Sequence, residues 1–299
     1  VREAYYAAKG RLEQAGVEDA AFDAGCLLEK DTGIPRARLP LLPERGEVER
    51  PGLRALRRDV ERRAAGEPLQ YILGEWEFFG RRFFVGPGVL IPRPETELLV
   101  LTAVGFLKEC AKPPRVLELC AGSGCAMISI AGEVPACRAV GLELSDAAAV
   151  WCRRNIRRHG AGERVKLRKG DMLDSAAPAR LGGRFDCIVC NPPYIPTGEI
   201  PALQREVRRE PPMALDGGAD GLRFYRAFAA WLPLLAAGGL AAFEVGAGQA
   251  PEVAGLLRGW GMEAVEIRRD LADIGRVVAG RRPARFAGES DCFCRRNPI

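Results

Sequence analysis

The sequence predicts an α/β protein: a seven-strand, mostly parallel, doubly wound sheet, preceded by a small helical domain and a linking β-hairpin. Three observations predict it. After Pro113-Pro114, short apolar runs alternate with small-residue loops and helical patterns. That alternation implies a parallel sheet with helices on both faces. Residues 1 to about 70 hold no convincing strand. Between these two regions, EWEFFGRRFFVGPGVLI (75 to 91) is aromatic and β-branched, with turns at Gly80 and Gly86-Pro87-Gly88, which reads as a hairpin. The expected divisions are a helical domain over 1–72, a hairpin linker over 73–92, a main domain over 93–280 and a tail over 281–299.

Each element has its own signal. Leu27, Leu28, Leu53, Leu56 and Val60 recur at helical spacing, punctuated by Pro35, Pro40, Pro43 and Pro51. After the hairpin, a helix is expected from Glu95 to Leu107. Strands are expected at 115–119, 138–144, 164–168, 185–190, 239–245, 262–267 and 275–280, with helices in most of the gaps. Right-handed crossovers then bring the loops after the strands to one edge. Open α/β sheets bind their ligands at that edge. The tail is polar, with scattered Arg and Pro, and is expected to be loosely ordered.

Composition narrows the functional class. The chain has 299 residues, 47% hydrophobic and 28% charged, as an ordinary globular protein does. No apolar run approaches the ~20 residues that span a bilayer, so no membrane partner is expected. The opening VREAYYAAKGRLEQAG is charged and helical in pattern, unlike a signal peptide. It lacks a Met, which leaves a preceding transit segment open. The net charge of +5 is modest and does not make the chain a nucleic-acid binder. Arg54, Arg57, Arg58, Arg62 and Arg63 form either a solvated helix face or a docking patch.

Ten cysteines and one histidine bear on metal. Cys120, Cys125, Cys187 and Cys190 sit in apolar or Gly-rich segments. Cys187 and Cys190 are three apart on an expected strand, so they face opposite ways and cannot chelate one ion. No metal is expected. The thiols read as reduced, in a cytosol-like compartment. Cys292 and Cys294, in the tail, have no assigned place.

Four loops at the strand ends carry the chemistry. In VLELCAGSG, 116 to 124, a strand runs into Cys120, Ala121, Gly122, Ser123 and Gly124 and then a helix. Glycines permit close backbone approach, and the helix N-terminus offers free N–H groups. The loop suits a dinucleotide or another adenosine cofactor, or it is only a tight turn. It is neither GxGxxG nor a Walker motif. Glu143, ending the next strand, can accept both ribose hydroxyl protons of an adenosine, or is an exposed strand-end acid. Asp171 can accept the adenine amino group, or cap a helix; Met172 can pack on the ring. After the fourth strand comes Asn191-Pro192-Pro193-Tyr194. The prolines stiffen the backbone and remove donors, which leaves carbonyl oxygens, an amide and an aromatic ring.

In this order, Gly loop, ribose acid, adenine acid and rigid polar platform, the four loops resemble the class I, Rossmann-like methyltransferases that use S-adenosyl-L-methionine. Asn-Pro-Pro-Tyr in the fourth place is their signature for methylating a planar nitrogen. Such a nitrogen is a poor nucleophile, because its lone pair is delocalised. The Asn191 side-chain oxygen and the Pro192 carbonyl can accept its two N–H bonds, and Tyr194 can stack on the planar group. Positioning then supplies much of the acceleration. No strong base is needed, in keeping with a bland role for His159.

The stretches QYILGEWEFFG (70 to 80), VLIPRPETE (89 to 97), NPPYIP, EPPMALDGGADGL (210 to 222) and DLADIGRVV (270 to 278) are together similar to the HemK/PrmC family, over nearly the whole chain to about 280. These are glutamine-N5 methyltransferases of class-1 peptide-chain release factors. The resemblance implies methyl transfer to the glutamine of a Gly-Gly-Gln loop, with the N-terminal domain gripping the release factor. It implies that Arg93 and Glu95 lock the 92–97 wall, or form a structural ion pair. It also implies a monomer in a cytoplasm, bacterial by default, with an organelle as the alternative. The chain departs from the family pattern at Glu118 and Cys120, where Asp and Gly are usual, at Glu143 (usually Asp) and at Met172 (often an aromatic). Methyl transfer is expected to survive provided Cys120 keeps φ below zero, with weaker cofactor affinity.

An adenine-N6 methyltransferase acting on DNA or RNA is the competing enzyme. It needs a target-recognition domain or a strongly basic cleft, and neither is visible, so no direct sequence-specific nucleic-acid binding is expected. A nucleotide-binding oxidoreductase lacks GxGxxG and leaves Asn-Pro-Pro-Tyr without a task. A non-catalytic binding module, with Cys120 blocking the cofactor, is the remaining class.

Overall fold

The computed structural model describes residues 1–41 and 50–284. Pro43, Cys292, Cys294 and all of the tail beyond residue 284 lie outside the described residues. Four helices, α1 (Arg2–Gln14), α2 (Ala20–Thr32), α3 (Arg50–Ala64) and α4 (Leu69–Leu73), come first. They pack Leu12, Leu27, Leu28, Leu56 and Val60 into one apolar cluster. Strands β1 (Glu75–Phe78) and β2 (Arg81–Phe84) follow as an antiparallel hairpin. His159, the one histidine, lies beneath it. Its ring centroid is 4.7 Å from that of Phe83, and its Nε2 is 3.0 Å from the Arg82 carbonyl.

The main domain then alternates: α5 (Thr96–Lys108), β3 (Arg115–Leu119), α6 (Cys125–Glu133), β4 (Arg138–Glu143), α7 (Asp146–Arg158), β5 (Val165–Lys169), α8 (Ala177–Leu181), β6 (Phe185–Cys190), α9 (Arg223–Ala227), β7 (Leu235–Glu244), α10 (Ala250–Gly259), β8 (Glu263–Arg269) and β9 (Gly275–Arg281). The sheet order is β5-β4-β3-β6-β7-β9-β8. The first five strands are parallel, and β9 runs antiparallel to both of its neighbours. The seven expected strands are all present. The largest difference is in β7, which begins at Leu235 rather than 239. Gly238-Gly239 lies where the pairing register with β6 shifts.

Each face of the sheet has its own core. Val116, Met127, Cys187 and Val189 belong to one cluster; Leu117, Ile188, Cys190, Trp231 and Phe243 belong to the other. The period-2 alternation of a strand separates Cys187 from Cys190 in this way. No helix among the described residues is long and apolar enough to cross a membrane.

Of the arginine run on α3, Arg54, Arg57 and Arg58 are exposed, as a solvated face requires, while Arg62 and Arg63 are engaged internally. Arg63 is buried, with Nε 2.6 Å from Asp23 Oδ2 and Nη1 2.7 Å from Glu206 Oε1. Arg205 and Arg209 donate to the carbonyls of Ala64 and Ala65, at the end of α3. Helix C-termini leave carbonyls unpaired and carry partial negative charge, so these guanidiniums tie the helical domain to the main one. Asp59 is fully buried and accepts from Lys30, Arg58 and Arg62. Burial favours its neutral acid, but the three cations outweigh burial and hold its carboxyl at about 2. Stability from a lowered carboxyl is present above the unfolded value and lost as pH falls through the folded one. Asp59→Asn is therefore expected to melt several degrees lower than the parent at pH 7. The gap should close as pH falls from about 4 towards 2 in a calorimetric series; a pH-independent gap contradicts the account.

Candidate active site

The loops after β3, β4, β5 and β6 meet the segment 88–96 in one cleft with about 920 Å³ of empty space. Of the residues singled out in the sequence, Cys120, Ala121, Gly122, Ser123, Glu143, Asp171, Met172, Asn191 and Pro193 line it. Gly124, Pro192 and Tyr194 do not.

The two loop glycines do different work. Gly122 has φ +53, and a Cβ built there meets no atom within 4 Å, so it opens the backbone to the cleft. Gly124 has φ +77, and its Cβ would lie 2.8 Å from Cys152 Sγ; it is a packing glycine between α6 and α7. Cys120 corrects an expectation. Its φ is +58, in the left-handed region, where a Cβ costs about 1–2 kcal/mol. The sharp exit from β3 imposes this, since the next residue, Ala121, turns back to donate to the Leu142 carbonyl on β4. The thiol fills a gap, with Sγ 3.7 Å from Met172 Sδ.

Three acids bear on the cleft. Glu143 is buried, and its two oxygens accept from Gly122 N at 2.8 Å and Ser145 N at 2.6 Å. It is therefore not an exposed strand-end acid. Its carboxylate is aimed by backbone, and half of its lone pairs remain available. Asp171 closes a turn by accepting from Leu173 N at 2.8 Å. Helix α8 begins six residues later, so Asp171 is no helix cap. Glu118 accepts from Met127 N at 3.0 Å, one of the unpaired donors in the first turn of α6. Burial dominates its titration and pushes the carboxyl up to about 8.

Asn191 leaves β6 with its amide half-buried. Its Nδ2 donates to Thr96 Oγ1 at 3.1 Å, and its Oδ1, at the cleft, accepts no hydrogen bond among the described residues. The Tyr194 ring is turned away. It packs with the core cluster that holds Phe243, and its carbonyl accepts from Gln249 Nε2 at 2.8 Å. Burial lifts its phenol well above the usual tyrosine range, so it stays neutral.

The 88–96 wall is not held by an Arg93–Glu95 pair. Arg93 pairs with Glu210, which is 2% exposed and also accepts from Ile91 N at 2.9 Å. Sequence reasoning missed Glu210 as a partner because 117 residues separate the two. It also missed Asn155, fully buried on α7. Asn155 exchanges two hydrogen bonds with the Phe84 backbone and donates to the Ser123 carbonyl, which joins the hairpin to the Gly loop. Its only signal is an Asn on an otherwise basic helix segment. Thr96 and Glu244, both buried, complete the surroundings of Asn191. Burial lifts the Glu244 carboxyl to about 7, against a smaller opposing influence of the Thr96 hydroxyl.

This sheet order and strand-end cleft define a methyltransferase domain carried behind a helical domain. The Methyltransferase domain family model matches residues 116–210, and the PrmC N-terminal domain model matches residues 3–74. The release factor glutamine methyltransferase of Geobacter sulfurreducens is 42% identical over 281 residues, covering 91% of this chain and 93% of that protein. That of Rhodospirillum rubrum is 39% identical, covering 92% and 82%. Among solved structures, the hMettl16 catalytic domain shares the fold with TM-score 0.56 at 14% identity, covering 77% of this chain and 83% of that one. The chain belongs to the release factor glutamine methyltransferase family.

Glu118 has a consequence for stability. A carboxyl raised above its unfolded value contributes stability that is present at low pH and lost as pH rises through the folded value. Glu118→Gln is therefore expected to gain several degrees on the parent between pH 5 and pH 8 in the absence of ligand, read as the difference in Tm. A difference that stays constant with pH would show that Glu118 is ionised in the folded protein.

Proposed function

We propose that the protein transfers the methyl group of S-adenosylmethionine to the side-chain amide nitrogen, N5, of a glutamine in the Gly-Gly-Gln loop of a class-1 peptide-chain release factor. The observation that carries this is the Asn191 amide. It is anchored through Nδ2 and presents a free Oδ1 at the cleft, next to a Gly loop and a ribose-ready carboxylate.

The residues present suit the cofactor. Gly122 leaves open space where a Cβ would project, Glu143 keeps free lone pairs towards the cleft, and Met172 offers an adaptable apolar contact. Glu143 would hold ribose hydroxyls, Asp171 the adenine amino group, and Cys120 to Ser123 the methionine part. When bound, the cofactor supplies an activated methyl group on a sulfonium. Asn191 Oδ1 accepts one N–H of the substrate amide, which orients its nitrogen lone pair and lessens its conjugation. The second N–H is assigned to the Pro192 carbonyl, which accepts no hydrogen bond among the described residues; since Pro192 does not line the cleft, this role needs the turn to shift when substrate enters. Tyr194 lies behind the turn, so in this arrangement it braces the platform. A stacking role needs its ring to swing out. The nitrogen sheds its extra proton to water, so no residue need act as a strong base. The setting that follows is a bacterial cytoplasm, where release factor is met.

The test is methyl transfer from labelled S-adenosylmethionine, with release factor and adenine-containing duplex DNA offered in parallel. One added methyl on the Gly-Gly-Gln glutamine, located by mass spectrometry, supports the reading; label on DNA alone overturns the substrate. In the same assay Asn191→Ala is expected to lose at least ~100-fold in kcat while cofactor Kd moves only a few-fold. Unchanged kcat removes Asn191 from its role. Cys120→Gly is expected to tighten cofactor binding a few-fold by calorimetry, because it relieves a left-handed Cβ at the cleft. Equal or weaker binding means that the loop is adapted to Cys.

A further inference from the structure

Three sulfurs from three strand-end segments meet at the inner wall of the cleft. The Cys120 thiol, just after β3, lies 3.7 Å from Met172 Sδ. The Cys190 thiol, at the end of β6, lies 3.7 Å from the same atom. Strands β3 and β6 are neighbours, and Leu119 pairs with Cys190, so Cys120 leaves the sheet one residue past Cys190. In an extended strand successive side chains face opposite ways, and Cys120 would face away from Leu119. Its φ of +58 breaks that alternation. Leu119, Cys120, Met172 and Cys190 all pack in one core cluster. The strained residue is therefore the one that completes the group, and strain kept at such a place points to function. Met172 is fixed in turn, since its carbonyl accepts from Trp231 Nε1 at 2.9 Å.

This donor set has a definite chemistry. Two thiols and a thioether are soft ligands of the kind that select Cu(I). Zinc asks for thiolate, imidazole or carboxylate ligands, usually four. Among the described residues no group of three or more His, Cys, Asp or Glu could hold a metal, so a harder ion finds no cage. With metal–sulfur bonds of roughly 2.3 Å, sulfurs around one ion stand about 4 Å apart, close to the 3.7 Å spacing found. No sequence motif announces the group: spacing pairs Cys190 with Cys187, whereas Met172 is 52 residues from Cys120 and 18 from Cys190.

We propose that Cys120, Met172 and Cys190 form a binding site for Cu(I) at the base of the cofactor cleft, and that metal and cofactor exclude one another. Binding sends the two thiol protons to water through the cleft and leaves the copper in its cuprous state. Met172 is 4% exposed and Cys190 0%, so the half-buried Cys120, which lines the cleft, is the way in. On the reading proposed above, the methionine part of the cofactor lies against Cys120 and its adenine against Met172. The cofactor then covers the entrance, and an ion held by both side chains turns them away from the cofactor. The site stands on the sulfur geometry; only the exclusion rests on the methyl-transfer reading.

The full chain is titrated with Cu(I) under nitrogen, with ascorbate present, against a competing Cu(I) chelator of known affinity. Cys120→Gly, Cys190→Ala and Met172→Leu are titrated in parallel. The parent is expected to hold a single tight equivalent, with an X-ray absorption spectrum of sulfur-only coordination. Cys120→Gly and Cys190→Ala are each expected to weaken it at least ~100-fold, beyond the usual cost of losing an outer-sphere partner. Met172→Leu, which conserves volume, is expected to weaken it about tenfold and to lose one sulfur scatterer. In a second arm, the Kd of S-adenosylhomocysteine, the demethylated cofactor, is expected to rise about tenfold once the parent is loaded with copper. No tight equivalent in the parent overturns the site. So does one held equally well by Cys120→Gly and Cys190→Ala, which would put the ion on other thiols of the chain. Cys120→Gly leaves every buried residue in place, so poor folding of Cys190→Ala leaves it to decide. An unchanged Kd for S-adenosylhomocysteine with copper in place overturns the exclusion. A parent that binds copper tightly but no S-adenosylhomocysteine supports the site and overturns the functional reading instead.

Discussion

The cleft depends on the Glu210 carboxylate. It is buried between the Ile91 N–H and the Arg93 guanidinium, and it pins the 88–96 segment over the C-terminal edge of the sheet. Without that segment the edge is an open row of loops. With it, the Gly loop, Glu143 and Asn191 face a wall. Removing one partner of a buried charged pair strands the other, at a cost of about 3–5 kcal/mol. The same segment is tied to the helical domain, since the Tyr71 hydroxyl donates to the Val89 carbonyl. The wall, the hairpin and the helical domain therefore position one another.

Every buried glutamate among the described residues lies at this one edge: Glu118, Glu143, Glu210 and Glu244. Glu118, Glu143 and Glu210 are held by backbone N–H groups or a guanidinium, and desolvation raises Glu118, Glu210 and Glu244. Burial that raises a carboxyl also favours its neutral form, so these acids act at the edge as hydrogen-bonding groups more than as a field of negative charge.

Much of this was legible in the sequence because it is local. Strand, loop and helix alternate with clear periods, and each strand-end residue follows its strand directly, so Cys120, Glu143, Asp171 and Asn191 fall where the pattern puts them. The misses are of another kind. The φ of Cys120 is set by how β3 must leave the sheet, not by the residue's preference, so a non-glycine gave no warning. The partner of Arg93 lies on a distant loop, and Glu95 was the nearest acid in the local sequence. Tyr194 reads as a platform ring, but the turn that exposes Asn191 carries its side chain inward, towards Gly246. The arginine run on α3 reads as a surface, although Arg63 is among the most buried charged residues of the helical domain.

That last point bears on how the helical domain can act. A domain that grips a partner through a free basic face is able to move relative to its enzyme. Here Arg63 reaches Glu206, and Arg205 and Arg209 cap the end of α3, so charges of both domains are used to fix one against the other. Pairs of this kind contribute direction more than energy, because desolvation offsets much of their attraction. On the reading proposed above, the helical domain works as a fixed arm, its surface at a set distance from Asn191, and a substrate presents its glutamine at that same distance. Substrate choice by such an arm rests on the reach of the partner's loop as much as on contact chemistry, since a misplacement of about 1 Å at the reacting nitrogen costs roughly a hundredfold in rate.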